Sequence, residues 1–87
     1  MIQFIDFYAD WCGPCKAMKP IVEELEKEFA GKVEFKQIDV ESDTAMATKY
    51  NIMSIPTFVV LKDGKETARK LGAMPKDVIR GWLSTNL

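Results

Sequence analysis

Two short strand-like runs flank one amphipathic segment in the first forty residues, and this order leaves few folds open. Residues 2–9 and 33–40 predict strands, because apolar residues recur along both over a length typical of strands. Residues 15–30 predict a helix, since apolar side chains recur at helical spacing and charged residues fill the other faces. A strand, a helix and a strand with short connections predict a βαβ unit, with parallel strands and a right-handed crossover.

The second half of the chain predicts more strands and helices. Residues 42–50 predict a short helix, and residues 57–61 predict a third strand. Asp63-Gly64 is a hairpin signal that leads into a fourth strand over residues 65–71.

The end of the chain predicts a third helix. Gly72 ends the fourth strand, Pro75 fits a first helical turn, and Trp82 lies on the apolar stripe that follows and is assigned to the core. The order βαβαββα predicts a three-layer α/β fold with a mixed sheet of about four strands and three helices. The length of 87 residues predicts that 1–87 is a single domain.

Charge and composition exclude several functional classes. The net charge is −1 and no basic stripe is present, so we expect no nucleic-acid partner. The longest apolar runs fall far below the roughly 20 residues of a membrane span, so we expect no membrane association. The N-terminus lacks the pattern of a cleaved signal, which favours the cytoplasm.

The chain has two cysteines and no histidine. Two cysteines are too few for the disulfide framework of a small secreted protein, and one chain cannot build a closed zinc site from them. We therefore expect no metal and no cofactor. Without histidine, proton chemistry falls to a carboxylate, a lysine, a tyrosine, a thiol or water.

Cys12 and Cys15 lie three residues apart at the predicted entry of the first helix, close enough to form a disulfide. The free N–H groups of a first helical turn stabilise a thiolate, which is the attacking species in disulfide exchange. Cys12 precedes the helix proper, so we expect it to be exposed and to attack. Cys15 lies one turn inside, so we expect it to be buried and to resolve the mixed disulfide.

Gly13 and Pro14 separate the two cysteines. Gly13 allows a close approach, and Pro14 suits a first helical turn where no N–H is needed. The pair also influences the redox potential of the cysteines. An alternative is half of a zinc or iron–sulfur site that dimerisation completes.

Asp6 lies within an apolar strand, where a carboxylate is costly unless it is paired or has a function. A buried carboxyl with a raised pKa would serve as the proton acceptor of Cys15. The alternative is an aspartate satisfied by backbone groups or water.

The motifs together resemble a known family. The segment Asp-Phe-Tyr-Ala-Asp-Trp-Cys-Gly-Pro-Cys-Lys at residues 6–16 is similar to the active-site segment of thioredoxins. Residues 55–57 (Ile-Pro-Thr) resemble the proline loop of that family. Residues 62–64 and 71–73 resemble its hairpin and its final glycine segment, so the resemblance covers the whole chain.

The resemblance implies a reductant of disulfides in other proteins. It also implies a cis peptide before Pro56, facing the cysteines. We expect Trp11, Ile55, Gly72 and Ala73 to form an apolar docking surface for those target proteins. The chain carries no cofactor motif, so a separate thioredoxin reductase is expected to reduce the oxidised cysteine pair again.

Two departures from the family accompany the resemblance. Gln37 occupies a position where many bacterial members carry a lysine near the buried aspartate. Thioredoxins also carry about one more N-terminal strand and helix, so we expect residues 33–40 to form a sheet edge, and the protein to be a monomer or weak homodimer. Two functional alternatives stay open. One is an oxidase or isomerase in an oxidising compartment, and the other is a binding module that lends its apolar surface to a larger assembly, with incidental redox activity.

Overall fold

The computed structural model describes residues 1–87, and its seven elements follow the predicted order βαβαββα. The strands are β1 (Ile2–Tyr8), β2 (Val33–Asp39), β3 (Thr57–Lys62) and β4 (Lys65–Leu71). The helices are α1 (Gly13–Glu28), α2 (Thr44–Lys49) and α3 (Lys76–Ser84). The predicted mixed sheet of four strands with three helices is confirmed.

Two helices differ from their predicted bounds because of how they are capped. α1 begins at Gly13, since Cys12 is its N-cap and Pro14 lies in its first turn, where a missing N–H costs nothing. α2 is shorter than predicted and begins at Thr44, because the side chain of Asp43 accepts the N–H of Met46.

The sheet has the order β2-β1-β3-β4, which places β1 in the interior of the sheet. β1 and β2 are parallel, as the βαβ unit predicts, whereas β3 is antiparallel to both β1 and β4. β2 is an edge strand, as expected. The chain leaves the carboxyl end of β1 and soon reaches Cys12, the N-cap of α1, so the site follows an interior strand of the sheet.

Each face of the sheet has its own core. On one face, Phe4 and Phe58 pack against α1 and α3, and Trp82 packs beside them half-buried, with its ring 6.4 Å from that of Phe4. On the opposite face, Ile5 and Phe7 pack against residues of α2 and its flanking loops. Neighbouring residues of β1 point to opposite faces, so the predicted three layers are present.

A network of ion pairs joins α1 to α3. Arg80 donates to both carboxylate oxygens of Glu28, at 2.9 and 3.0 Å. Lys76 lies 2.9 Å from Glu24 and 3.0 Å from Glu28. The hydrogen bonds from Arg80, and next those from Lys76, lower the pKa of Glu28 to about 2.

We expect Glu28→Gln to lower the melting temperature by a few degrees near neutral pH. The lowered pKa means that the ion pairs stabilise the fold above the ordinary glutamate pKa of 4.5, and that this stability is lost as the pH falls towards 2. Thermal unfolding should therefore show a lower melting temperature for Glu28→Gln than for the wild type at pH 7, and no difference at pH 2.

Glu26→Gln is the matched control, because Glu26 lies on the same helix and makes no ion pair. Since the Glu28 network is exposed, 1 M salt should remove most of the difference. Equal melting temperatures of the two variants at pH 7 and low salt would contradict a stabilising network.

Candidate active site

The turn between β1 and α1 brings the two cysteines together. The N–H of Cys12 donates to the carbonyl of Ala9 at 3.1 Å, which turns the chain back after β1. Cys12 Sγ then accepts the N–H of Cys15 at 3.1 Å. The two cysteines form a disulfide, and their Cα atoms are 5.2 Å apart.

Both cysteines are buried, with 5% of Cys12 and 4% of Cys15 exposed. The expectation that Cys12 is exposed is therefore wrong for this disulfide form. Its position as N-cap turns the side chain back onto the helix, where Ala9 and Ile55 cover it. The two cysteines differ instead in which of two surface hollows each one borders.

Cys12 borders an open hollow of about 530 Å³, which we call the cleft. Its lining is mostly apolar and consists of Trp11, Cys12, Gly13, Pro14, Val40, Ile52, Met53, Ser54 and Ile55. The structure thus brings together the motif and the segment before Pro56, which lie about forty residues apart in sequence. Such a surface suits an extended apolar segment of another protein.

Trp11 stands at the edge of the cleft with 66% of its surface exposed. Its indole N–H donates to the carboxylate of Glu41 at 2.8 Å, which holds the ring beside Cys12. Trp11 and Ile55, two of the residues expected to contact target proteins, both line the cleft. Val40, Ile52 and Met53 were missed, because they belong to other elements and carry no motif.

The proline loop lies against the disulfide. The Ile55–Pro56 peptide is cis, as the resemblance implies. The N–H of Gly72 donates to the carbonyl of Pro56 at 2.9 Å, so Gly72 is placed beside the loop. Neither Gly72 nor Ala73 lines the cleft.

Cys15 borders a second, more polar hollow of about 340 Å³, which we call the inner cavity. Asp6, Tyr8, Lys19 and Gln37 also line it. Gln37 is the residue paired with Asp6 across the parallel β1–β2 register, so a neutral amide stands where a lysine was expected.

Asp6 is only 3% exposed, and no protein group donates a hydrogen bond to its Oδ1 atom. Burial raises the pKa of this carboxyl to about 7 from an ordinary value of 3.8. Backbone groups therefore do not satisfy Oδ1. An unpaired carboxyl with this pKa, beside a cysteine, has the properties of a proton acceptor near neutral pH.

The family model for thioredoxin matches residues 2–85. The chain belongs to the thioredoxin family. A thioredoxin C-2 from Corynebacterium nephridii is 43% identical over 83 residues, covering 95% of this chain and 77% of that protein. A thioredoxin from Staphylococcus aureus (strain Mu50 / ATCC 700699) is 41% identical over 86 residues, covering 99% of this chain and 83% of that protein.

A solved thioredoxin structure agrees with the sequence comparisons. A mutant thioredoxin from Halobacterium salinarum NRC-1 superposes with a TM-score of 0.88 at 32% identity, covering 97% of this chain and 73% of that one. Thioredoxins are thiol–disulfide oxidoreductases that act on disulfide targets and are reduced again by thioredoxin reductase. This member is accordingly a protein disulfide reductase, and the bonded Cys12–Cys15 pair is consistent with its redox centre. None of its three helices is long and apolar enough to cross a membrane.

Arg69 of β4 hydrogen-bonds the chain just before residues 52–55, which form one wall of the cleft. Its Nη2 donates to the carbonyl of Tyr50 at 2.6 Å, just after α2, and Nη1 lies 3.5 Å from the carbonyl of Asn51. Glu66 holds the guanidinium through two hydrogen bonds of 2.8 Å. Arg69 thus ties the turn before residues 52–55 to the sheet.

We expect Arg69→Met to lower the free energy of unfolding by about 1–2 kcal/mol, because two carbonyls lose a charged donor. Hydrogen exchange should quicken at residues 50–55 more than in β1. Lys65→Met is the control, since Lys65 lies exposed on the same strand without a hydrogen bond. Unchanged exchange at residues 50–55 would show that Arg69 does not hold the turn.

Proposed function

We propose that Cys12 attacks the disulfide of a target protein and that Cys15 resolves the resulting mixed disulfide. The observation that carries this assignment is the position of each sulfur. Cys12 borders the open cleft, where a target can approach, whereas Cys15 borders the inner cavity beside Asp6.

The exchange proceeds in two balanced steps. The Cys12 thiolate bonds to one target sulfur, the target S–S bond breaks, and the other target sulfur leaves as a thiolate that takes a proton from water. Cys15 then bonds to Cys12, and the second target sulfur leaves in the same way. Two electrons pass to the target, which is released reduced, while the Cys12–Cys15 pair becomes the disulfide.

The start of α1 supports Cys12 as the nucleophile. Its Sγ atom accepts the N–H of Cys15 at 3.1 Å and lies at the positive end of a 16-residue helix. Both effects favour the thiolate form of Cys12. Pro14 donates no competing N–H in this turn, and Gly13 leaves the cleft side of the turn free of a side chain.

Asp6 has the role of proton acceptor for Cys15. Cys15 must lose its proton before it can attack, and no histidine is available. Asp6 shares the inner cavity with Cys15, and its pKa of about 7 matches the pH at which transfer is needed. Lys19 and Gln37, which are exposed, also line the cavity, so it gives the proton a route to solvent.

The cleft binds the target segment that flanks its disulfide. Trp11 and Ile55 line the cleft together with Cys12 and offer the target segment apolar contact. The backbone of Ile55, ahead of Pro56, pairs with the extended target chain in the manner of an added strand. We expect the bound target segment to reach Gly72 and Ala73 as well, which do not line the cleft, because the N–H of Gly72 donates to the carbonyl of Pro56.

The redox cycle requires a separate thioredoxin reductase. We place this protein in the cytoplasm, where thiols are kept reduced. We expect a monomer or weak homodimer, because edge strand β2 has one unpaired side that favours pairing, while Glu34 and Lys36 place charges along it that discourage pairing. Size-exclusion chromatography with light scattering tests the oligomeric state.

Reduction of insulin by the purified protein, with dithiothreitol as electron source, tests the function. We expect catalysis well above the rate of dithiothreitol alone. The reduction potential should lie near −270 mV, roughly the value of thioredoxins in general. A potential near −120 mV, roughly that of a strong oxidant, would favour an oxidase instead. No catalysis would favour a binding module.

A further inference from the structure

Met53 is the most exposed large apolar side chain of the protein, with 85% of its surface accessible. It lines the cleft together with Cys12, on the wall formed by residues 52–55. The thioether of Met53 is therefore accessible both to target proteins that reach the redox centre and to dissolved oxidants.

Met53 also borders a second hollow. Val40, Ile52 and Met53 line both the cleft and a neighbouring open depression bordered by α2. The exposed side chain of Met53 therefore has free space around it. Methionine is unbranched and has three rotatable bonds, so it adapts its shape to different apolar partners. A wall of this kind suits a reductant whose targets differ in sequence around their disulfides.

We propose that Met53 is a docking residue and an oxidation site, at which conversion to methionine sulfoxide weakens the binding of target proteins. The inference rests on the proposed function, since it takes the cleft to be the place where targets dock. The sulfoxide adds a strong dipole to an apolar wall, and docking must then remove water from that dipole.

The oxidant is a hydroperoxide, with hydrogen peroxide as the simplest case. With hydrogen peroxide, the thioether sulfur loses two electrons and bonds to one peroxide oxygen, the O–O bond breaks, and the other oxygen leaves as water with both protons. The reaction needs neither thiol of the protein. It therefore also proceeds while Cys12 and Cys15 are joined as a disulfide.

The five methionines provide internal controls. Met18 is buried and Met46 and Met74 are half-buried, so peroxide should reach them slowly. Met1 is 70% exposed but does not line the cleft. Met1 and Met53 should therefore oxidise first, and only the oxidation of Met53 should affect docking.

The test treats the disulfide form with hydrogen peroxide, removes the peroxide with catalase and measures oxidation of each methionine by mass spectrometry. Dithiothreitol then reduces the cysteines and leaves the sulfoxide intact. KM and kcat are measured with insulin, and the rate with hydroxyethyl disulfide, which has no polypeptide to dock, is measured in parallel. Wild type, Met1→Leu and Met53→Leu are compared, each before and after peroxide.

We expect peroxide to raise KM for insulin by about three- to tenfold in the wild type and in Met1→Leu. The rate with hydroxyethyl disulfide should not change, because the thiol chemistry is untouched. Met53→Leu should show the same KM before and after treatment, since leucine cannot be oxidised.

Two results would overturn this inference and leave the proposed function intact. One is complete oxidation of Met53 without a rise in KM, and the other is an equal rise in Met53→Leu. If the untreated protein fails to reduce insulin, the proposed function fails first and this inference fails with it. The untreated sample therefore separates the two failures.

Discussion

The Cys15→Ser variant is expected to stay covalently attached to its target proteins, whereas Cys12→Ser is expected to lose turnover by roughly a thousandfold or more. Cys12 can still attack in the first variant, because its Sγ atom keeps the N–H of residue 15 as a hydrogen-bond donor. Serine at position 15 cannot form the second disulfide, so the mixed disulfide persists. Without Cys12, no thiol at the cleft remains to attack.

Mass spectrometry after incubation with an oxidised target protein measures the outcome. A species equal in mass to the protein plus its target, and released by dithiothreitol, is expected for Cys15→Ser only. The double variant, with serine at both Cys12 and Cys15, is the control for non-covalent association. Trapping by Cys12→Ser and not by Cys15→Ser would reverse the two roles.

The largest expected effect on stability comes from Asp6. Its pKa is raised from 3.8 to about 7 by burial, so the folded protein holds this proton more tightly than the unfolded chain does. Below pH 3.8 this carboxyl is protonated in both the folded and the unfolded protein, so its titration does not lower the free energy of unfolding. Stability is then lost as the pH rises through the folded pKa, and the full loss corresponds to about 4 kcal/mol.

Asp6→Asn removes the ionisable group with little change in shape, so its stability should not show this loss. The free energy of unfolding of the variant, relative to wild type, should rise by about 4 kcal/mol between pH 4 and pH 8. Urea unfolding at several pH values measures this difference, and other groups cancel in the comparison. Asp10→Asn removes an exposed carboxylate from the same turn and serves as the control.

The same Asp6→Asn variant should be slower in resolving mixed disulfides near neutral pH, because Cys15 loses its proton acceptor. Single-turnover reactions with an oxidised target protein, quenched by acid at successive times from pH 6 to pH 8, follow the decay of the mixed disulfide and isolate that step. A variant that is more stable yet equally fast across this range would make Asp6 structural only. If the free energies of unfolding of Asp6→Asn and the wild type differ by the same amount at every pH, burial does not raise the pKa of Asp6.

The order of the elements and the identity of the redox pair were accessible from local patterns. Residues 15–30 repeat apolar side chains at helical spacing, and Asp63-Gly64 adopts the positive φ angles that its hairpin signal indicates. Two cysteines three apart at a helix entry define their chemistry without reference to distant residues. Helix ends shifted by about two residues, because caps such as Cys12 and Asp43 involve single hydrogen bonds that periodicity does not reveal.

The sequence by itself therefore determined the fold class, the Cys12–Cys15 pair and the suspicion that Asp6 is unusual, since each depends on neighbours along the chain. Only the tertiary structure decided that Cys12 is buried in the disulfide form, which hollow each cysteine borders, and that Met53 stands on the cleft wall. These features depend on contacts between residues far apart in sequence, such as Ile55 against the cysteine pair. Packing of the loop before β3 against the start of α1 creates those contacts, and no local repeat of residues encodes it.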